Sequence, residues 1–152
     1  MRVALLLTLA LLVSPGAGAA AGPTDIARVD DYIDAPRALF GRTRAELERR
    51  LGVPTQERLR AGTIVLFWPG LEVAMSPSAR VAAISVRAAG RPLPYGLDVG
   101  APRARVEAVL GQAQDTTDER AFYLDADGFP NSVEFFFRDG RVTRIEWRFW
   151  AD

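Results

Sequence analysis

Hydrophobic and polar residues alternate along much of this chain, and where the alternation stops the spacing becomes helical. Six segments repeat with a period of two: GTIVLFW at 62–68, GLEVAMS at 70–76, RVAAISVRA at 80–88, ERAFYLD at 119–125, SVEFFFR at 132–138 and RVTRIEWRFW at 141–150. That period belongs to strands with one buried face. Asp139-Gly140 joins the last two as a type I′ hairpin turn, and SPSA at 76–79 is the longer counterpart in the first set.

Ahead of each trio stands a twelve-residue stretch, GRTRAELERRLG at 41–52 and GAPRARVEAVLG at 100–111. The two agree at Gly41/Gly100, Arg44/Arg103, Ala45/Ala104, Glu48/Glu107, Leu51/Leu110 and Gly52/Gly111. In the first, Thr43 and Glu46 form a capping box, Leu47 and Leu51 share a face, and Gly52 with Pro54 ends the helix. Glu46 and Arg50 stand at ion-pair spacing. In the second, Pro102 replaces the capping threonine, and Val106, Val109 and Leu110 widen the apolar stripe.

These patterns predict an α+β fold of two tandem helix-plus-antiparallel-meander repeats, with short helices packed on one face of the sheet. A further short helix is expected from Asp34 to Phe40, capped by Asp34 with Pro36 near its start. The resulting divisions are a flexible segment at 22–33, a first repeat at 34–89, a Pro/Gly-rich linker at 90–99 and a second repeat at 100–152.

Residues 1–21 read as a Sec-type export signal: Arg2, an apolar run from Val3 to Val13, then small residues offering cleavage after Ala19 or Ala21. The run is shorter than the roughly 20 residues of a membrane-spanning helix. The expected location is periplasmic, with secretion as the alternative. No cysteine is present, which excludes disulfides and a lipid-attachment site, so no membrane anchor is expected.

Composition narrows the chemistry. Every basic residue is arginine; the absence of histidine, lysine and cysteine removes Ser-His, Cys-His and Ser-Lys nucleophiles, Schiff bases and nitrogen or sulfur metal sites. Formal net charge is zero, so no nucleic-acid partner is expected. Carboxylate chemistry is left, as in glycan hydrolysis. Asp125, Asp127 and Gly128 resemble the start of a calcium loop, but Phe129 occupies a ligand position and no closing glutamate follows, so no metal or cofactor is expected. Asp30, Asp31 and Asp34 form an acidic cluster.

Together, the TRAEL helix start at 43–47, the Leu51-Gly52-x-Pro54 stop and the closing DGRVTRI at 139–145 resemble the SmpA/OmlA (BamE-like) family of small envelope proteins. The tandem arrangement resembles the β-lactamase inhibitory protein fold. The resemblance implies a helical layer on one face of an antiparallel sheet, used to bind proteins without an active site.

Alternation also assigns the faces. Ile145, Trp147, Phe149, Val133, Phe135, Phe137, Ile84, Val86, Leu71, Val73 and Met75 should lie under the helices. Glu134, Phe136, Arg138, Arg144, Glu146, Arg148 and Trp150 then share the other face, where aromatics interleaved with charges suit a partner-binding patch. The other reading is that Phe136 and Trp150 pack against the other repeat or the linker, while the charges form solvated cross-strand pairs. The favoured function is an exported, non-catalytic protein-binding module of the cell envelope. The alternatives are an inhibitor of a secreted or periplasmic enzyme, such as a β-lactamase or protease, and a carboxylate-dependent glycan enzyme.

Overall fold

The computed structural model describes residues 20–126 and 130–150, so the export-signal reading of residues 1–19 and the calcium-loop positions 127–129 lie outside the described residues. Helices α1 (Ile26–Phe40), α2 (Arg44–Leu51) and α3 (Arg103–Leu110) accompany eight strands. These are β1 (Gln56–Arg60), β2 (Thr63–Trp68), β3 (Leu71–Met75), β4 (Val81–Val86), β5 (Asp115–Thr117), β6 (Arg120–Leu124), β7 (Ser132–Arg138) and β8 (Arg141–Arg148). They form one antiparallel sheet in the order β1-β2-β3-β4-β8-β7-β6-β5. The α+β class is as expected. One continuous sheet results because β4 pairs with β8, matching Ala83 to Arg148, Ile84 to Trp147, Ser85 to Glu146 and Val86 to Ile145.

Each meander has four strands, not the expected three. The additions, β1 and β5, form the two edges, and every residue in both is exposed. An edge strand exposed on both faces carries no apolar alternation to read. The turns behave as their residues require: Asp139 and Gly140 both have positive φ, 51° and 69°, as a type I′ turn demands.

The twelve-residue stretches fold alike. Glu46 N–H donates to Thr43 Oγ1 at 3.4 Å and Glu46 Oε2 accepts from Arg42 N–H at 2.6 Å, an interaction that lowers the Glu46 pKa below its ordinary value. Glu46 therefore faces its own helix start, and Arg50 turns to the Ala38 carbonyl, so the expected Glu46–Arg50 pair does not form. At the other ends, Gly52 N–H donates to the Glu48 carbonyl and Gly111 N–H to that of Glu107, each at 2.9 Å. Arg44 meets Glu48 at 2.8 Å, and Arg103 meets Glu107 at 2.7 Å. Each arginine then reaches its own edge strand, Arg44 to Glu57 and Arg103 to Thr116 and the carbonyls of Thr117 and Asp118.

Helix α1 corrects two expectations. It starts at Ile26, capped by Asp25, which accepts from Arg28 N–H at 3.2 Å. Asp34 is therefore inside the helix, and residues 22–33 are not a loose segment. Val29, Tyr32, Ile33, Pro36 and Phe40 form a buried stripe. Upstream, Gln112 N–H donates to the Gly22 carbonyl and Asp25 N–H to the Leu110 carbonyl, which ties the entry to the end of α3. Pro36 lies inside the helix, where it lacks the N–H that would serve the carbonyl four residues back. That carbonyl is Tyr32 O, and the buried Trp147 Nε1–H donates to it at 3.0 Å. Core packing thus supplies the donor that proline withholds.

The core fills one side of the sheet. A row through seven strands, Glu57–Leu66–Val73–Ile84–Trp147–Val133–Tyr123, has six buried apolar members. All eleven residues assigned to this face by alternation are buried. Segment 90–99 turns locally through a 3-10 turn at Pro94–Gly96 but is held down: Leu93 and Leu97 are buried, and Tyr32 donates to the Leu97 carbonyl at 2.5 Å.

Candidate functional site

Strand alternation that buries one row exposes the next. The neighbouring row crosses all eight strands as Gln56–Phe67–Glu72–Ser85–Glu146–Glu134–Phe122–Asp115. Beside it run Arg58–Val65–Ala74–Ala83–Arg148–Ser132–Leu124 and Arg144–Phe136–Arg120–Thr117. The helices occupy the opposite side, so this face is open among the described residues.

Three carboxylates crowd its centre, and each has an arginine. Glu72 takes Arg87 at 3.1 Å and Arg60 at 3.7 Å; Glu146 takes Arg148 at 3.0 Å and Arg144 at 3.9 Å; Glu134 takes Arg120 at 3.1 Å. Glu134 and Glu146 stand directly opposite one another, a like-charge pairing that costs stability. Half-buried phenylalanines lie beneath the arginines. Arg144 is centred 3.6 Å from the Phe136 ring, and Arg60 and Arg58 are 5.1 and 5.6 Å from Phe67. Small side chains at Ala74, Ala83 and Ser85 leave a shallow depression of about 260 Å³ between Glu72 and Glu146.

Of the residues proposed from sequence, Glu134, Phe136, Arg144, Glu146 and Arg148 come together here, with Arg138 at the tip of β7. A bulge between Phe136 and Phe137 leaves Thr143 to donate its hydroxyl to the Phe136 carbonyl at 3.3 Å. Trp150 is a correction: β8 stops at Arg148, and the Trp150 backbone is held between the Asn131 side chain and Arg37 of α1, its residue 58% exposed. Missing from the sequence reading were Phe67, Glu72, Ser85, Arg87, Arg120 and Phe122. Their outward phase was visible in the alternation; Arg120 and Phe122 join the surface through the β6–β7 pairing, whereas the place of Phe67, Glu72, Ser85 and Arg87 on it depended on the β4–β8 junction.

The acidic cluster is dispersed into structure, with Asp31 accepting from the Tyr95 hydroxyl at 2.9 Å and Asp30 from Ala126 N–H at 3.2 Å. Among the described residues no group of three His, Cys, Asp or Glu could hold a metal ion, and no helix is long and apolar enough to cross a membrane.

No family model and no curated protein sequence matches the chain. Among solved structures, it is similar to the crystal structure of a DUF4309 family protein (YjgB) from Bacillus subtilis subsp. subtilis str. 168. Identity is 14%, the TM-score is 0.49, and the match covers 82% of this chain and 99% of that one.

Proposed function

We propose that this chain is an exported, non-catalytic protein-binding module of the cell envelope that binds through its open sheet face. One observation carries the reading: an eight-stranded sheet is covered by helices on one side, and its other side presents Phe67, Phe122 and Phe136 among paired arginines and glutamates with no element of the described residues over them. Aromatics and arginines of this kind supply the energy of protein interfaces.

The matching arginine–glutamate pair and glycine stop in both halves support a tandem helix-plus-meander arrangement and the likeness to SmpA/OmlA proteins and to the β-lactamase inhibitory fold. A general acid needs a carboxyl kept neutral by its surroundings. Each central glutamate is instead ion-paired with an arginine on a shallow face. The absence of histidine, lysine and cysteine points the same way.

In-cell crosslinking tests the proposal, with a photo-reactive residue placed at Phe122 or Arg148 on the open face and at Arg49 on α2 as control. A specific envelope protein captured from the open-face positions alone, and lost in a Phe67→Ala/Phe136→Ala variant, is the expected result. The same abundant background proteins from all three positions would remove the reading.

A further inference from the structure

We infer that the corner of the open face at Arg144 and Phe136 is a recognition site for one carboxylate, an aspartate or glutamate side chain projecting from the partner protein. The inference rests on the open face being the binding surface. It begins with an arginine whose bonding capacity is unfilled. Arg144 is centred 3.6 Å from the Phe136 ring, and its only ion pair among the described residues is the long 3.9 Å approach to Glu146, which Arg148 already holds at 3.0 Å. Its Nε is buried and has no hydrogen-bond partner. A desolvated N–H without an acceptor is costly, and one in a native fold calls for an acceptor from elsewhere. Stacking on the ring fixes the planar fork in advance, the arrangement in which arginine takes a carboxylate through two parallel bonds.

A further observation agrees. Three buried side-chain polar atoms among the described residues lack a partner, and two belong to this face: Arg144 Nε and, on the strand beside it, Ser85 Oγ opposite Glu146.

The space is present. A depression of about 670 Å³ beside Phe136 is lined by Arg87, Arg138, Arg144 and Thr143. Asp118, Glu119 and Asp139 also line it and make the corner neutral overall. They repel a run of negative charge but leave a single carboxylate a route to Arg144.

The test is a titration of the ¹⁵N-labelled protein with acetyl-Gly-Asp-Gly-amide and, separately, acetyl-Gly-Asn-Gly-amide, following the arginine Nε–Hε signals. The Arg144 signal, assigned by its loss in Arg144→Lys, should move saturably with the aspartate peptide. Binding should weaken about tenfold or more with the asparagine peptide and in Arg144→Lys. Phe136→Leu, which keeps the guanidinium and removes its platform, should weaken it severalfold and provides the test should Arg144→Lys fail to fold. Equal response to both peptides, or a response undiminished in either variant, overturns the site. If the titration fails while open-face crosslinks still capture one partner, the carboxylate site is wrong and the binding face stands; if the crosslinks fail as well, both fall.

Discussion

The two faces of this sheet are made by the same strands and follow different rules. On the helix side, Ile84, Trp147, Val133 and Tyr123 sit side by side with no measurable exposure. One residue along each strand, the open side places Ser85, Glu146, Glu134 and Phe122 in register. The first row contributes roughly 1.5 to 3 kcal/mol for each large side chain buried. The second offers cross-strand pairs of about 0.2 to 1 kcal/mol each and includes two carboxylates set against each other. Stability is therefore concentrated on the closed face, and substitutions on the open face are expected to cost the fold less.

Trp147 is where breaking this division costs most. Trp147→Ala should destabilise by about 3 to 5 kcal/mol in urea unfolding, because a large cavity opens and the Tyr32 carbonyl loses its donor. Trp147→Phe keeps most of the volume and separates the second effect, at about 1 to 3 kcal/mol. Pro36→Ala restores a helix donor to the same carbonyl, so it should stabilise more in the Trp147→Phe background than in the wild type. A strictly additive cycle would show that the indole does not replace the proline's missing bond.

The margin of the closed face gives the next effect. A Cβ at Gly111 would stand 2.1 Å from the Pro23 carbonyl oxygen at φ 76°, whereas one at Gly52, φ 81°, meets nothing within 4 Å. Both alanine variants incur the backbone penalty of positive φ, about 1 kcal/mol. Gly111→Ala must also displace residues 22–25, so its unfolding midpoint should fall clearly further than that of Gly52→Ala. Equal midpoints would mean that the N-terminal entry adds nothing to the seal.

How much of this was legible follows from what each element needs. The six alternating segments, both short helices and the eleven closed-face residues of β3, β4, β7 and the β8 segment were readable because half-buried strands and amphipathic helices must repeat with their own periods. Edge strands β1 and β5 bury nothing and left no such signal. Helix α1 was missed at its start because Asp30, Asp31 and Asp34 interrupt the stripe of Val29, Tyr32, Ile33, Pro36 and Phe40, and because Pro36 read as a beginning. For the open face, Glu134, Phe136, Arg144, Glu146 and Arg148 came from the phase of two strands. The remaining half, from Phe67 to Arg87, required knowing that β4 and β8 are neighbours, a long-range pairing that no local pattern encodes.

Alkaline pH should load the closed face selectively. Burial pushes the Tyr123 hydroxyl up to about 12 and raises that of Tyr32 well above its ordinary value, while the hydrogen bond to Asp31 raises Tyr95. A raised folded-state value means that the unfolded chain releases its proton first, near pH 10. Stability should therefore hold below about pH 10 and fall progressively toward pH 12. Urea midpoints measured across that range should decline less steeply for Tyr123→Phe, and an unchanged slope would show that this tyrosine is not the group resisting ionisation.

The smallest expected effect is the sharpest test of the comparison. Glu134 and Glu146 are only 14% and 19% exposed in their side chains, so substitutions at such positions would ordinarily be expected to weaken a fold. Glu134→Gln removes a 3.1 Å contact with Arg120 but also relieves the opposed carboxylates, and Arg120 keeps Asp115 as a partner. The two terms oppose one another, and the net change in unfolding free energy should lie within about 1 kcal/mol. A loss above about 3 kcal/mol, the scale of breaking a buried ion pair, would make this row part of the folding core. The open face would then be a structural surface, and its arginines and phenylalanines would need no partner to explain them.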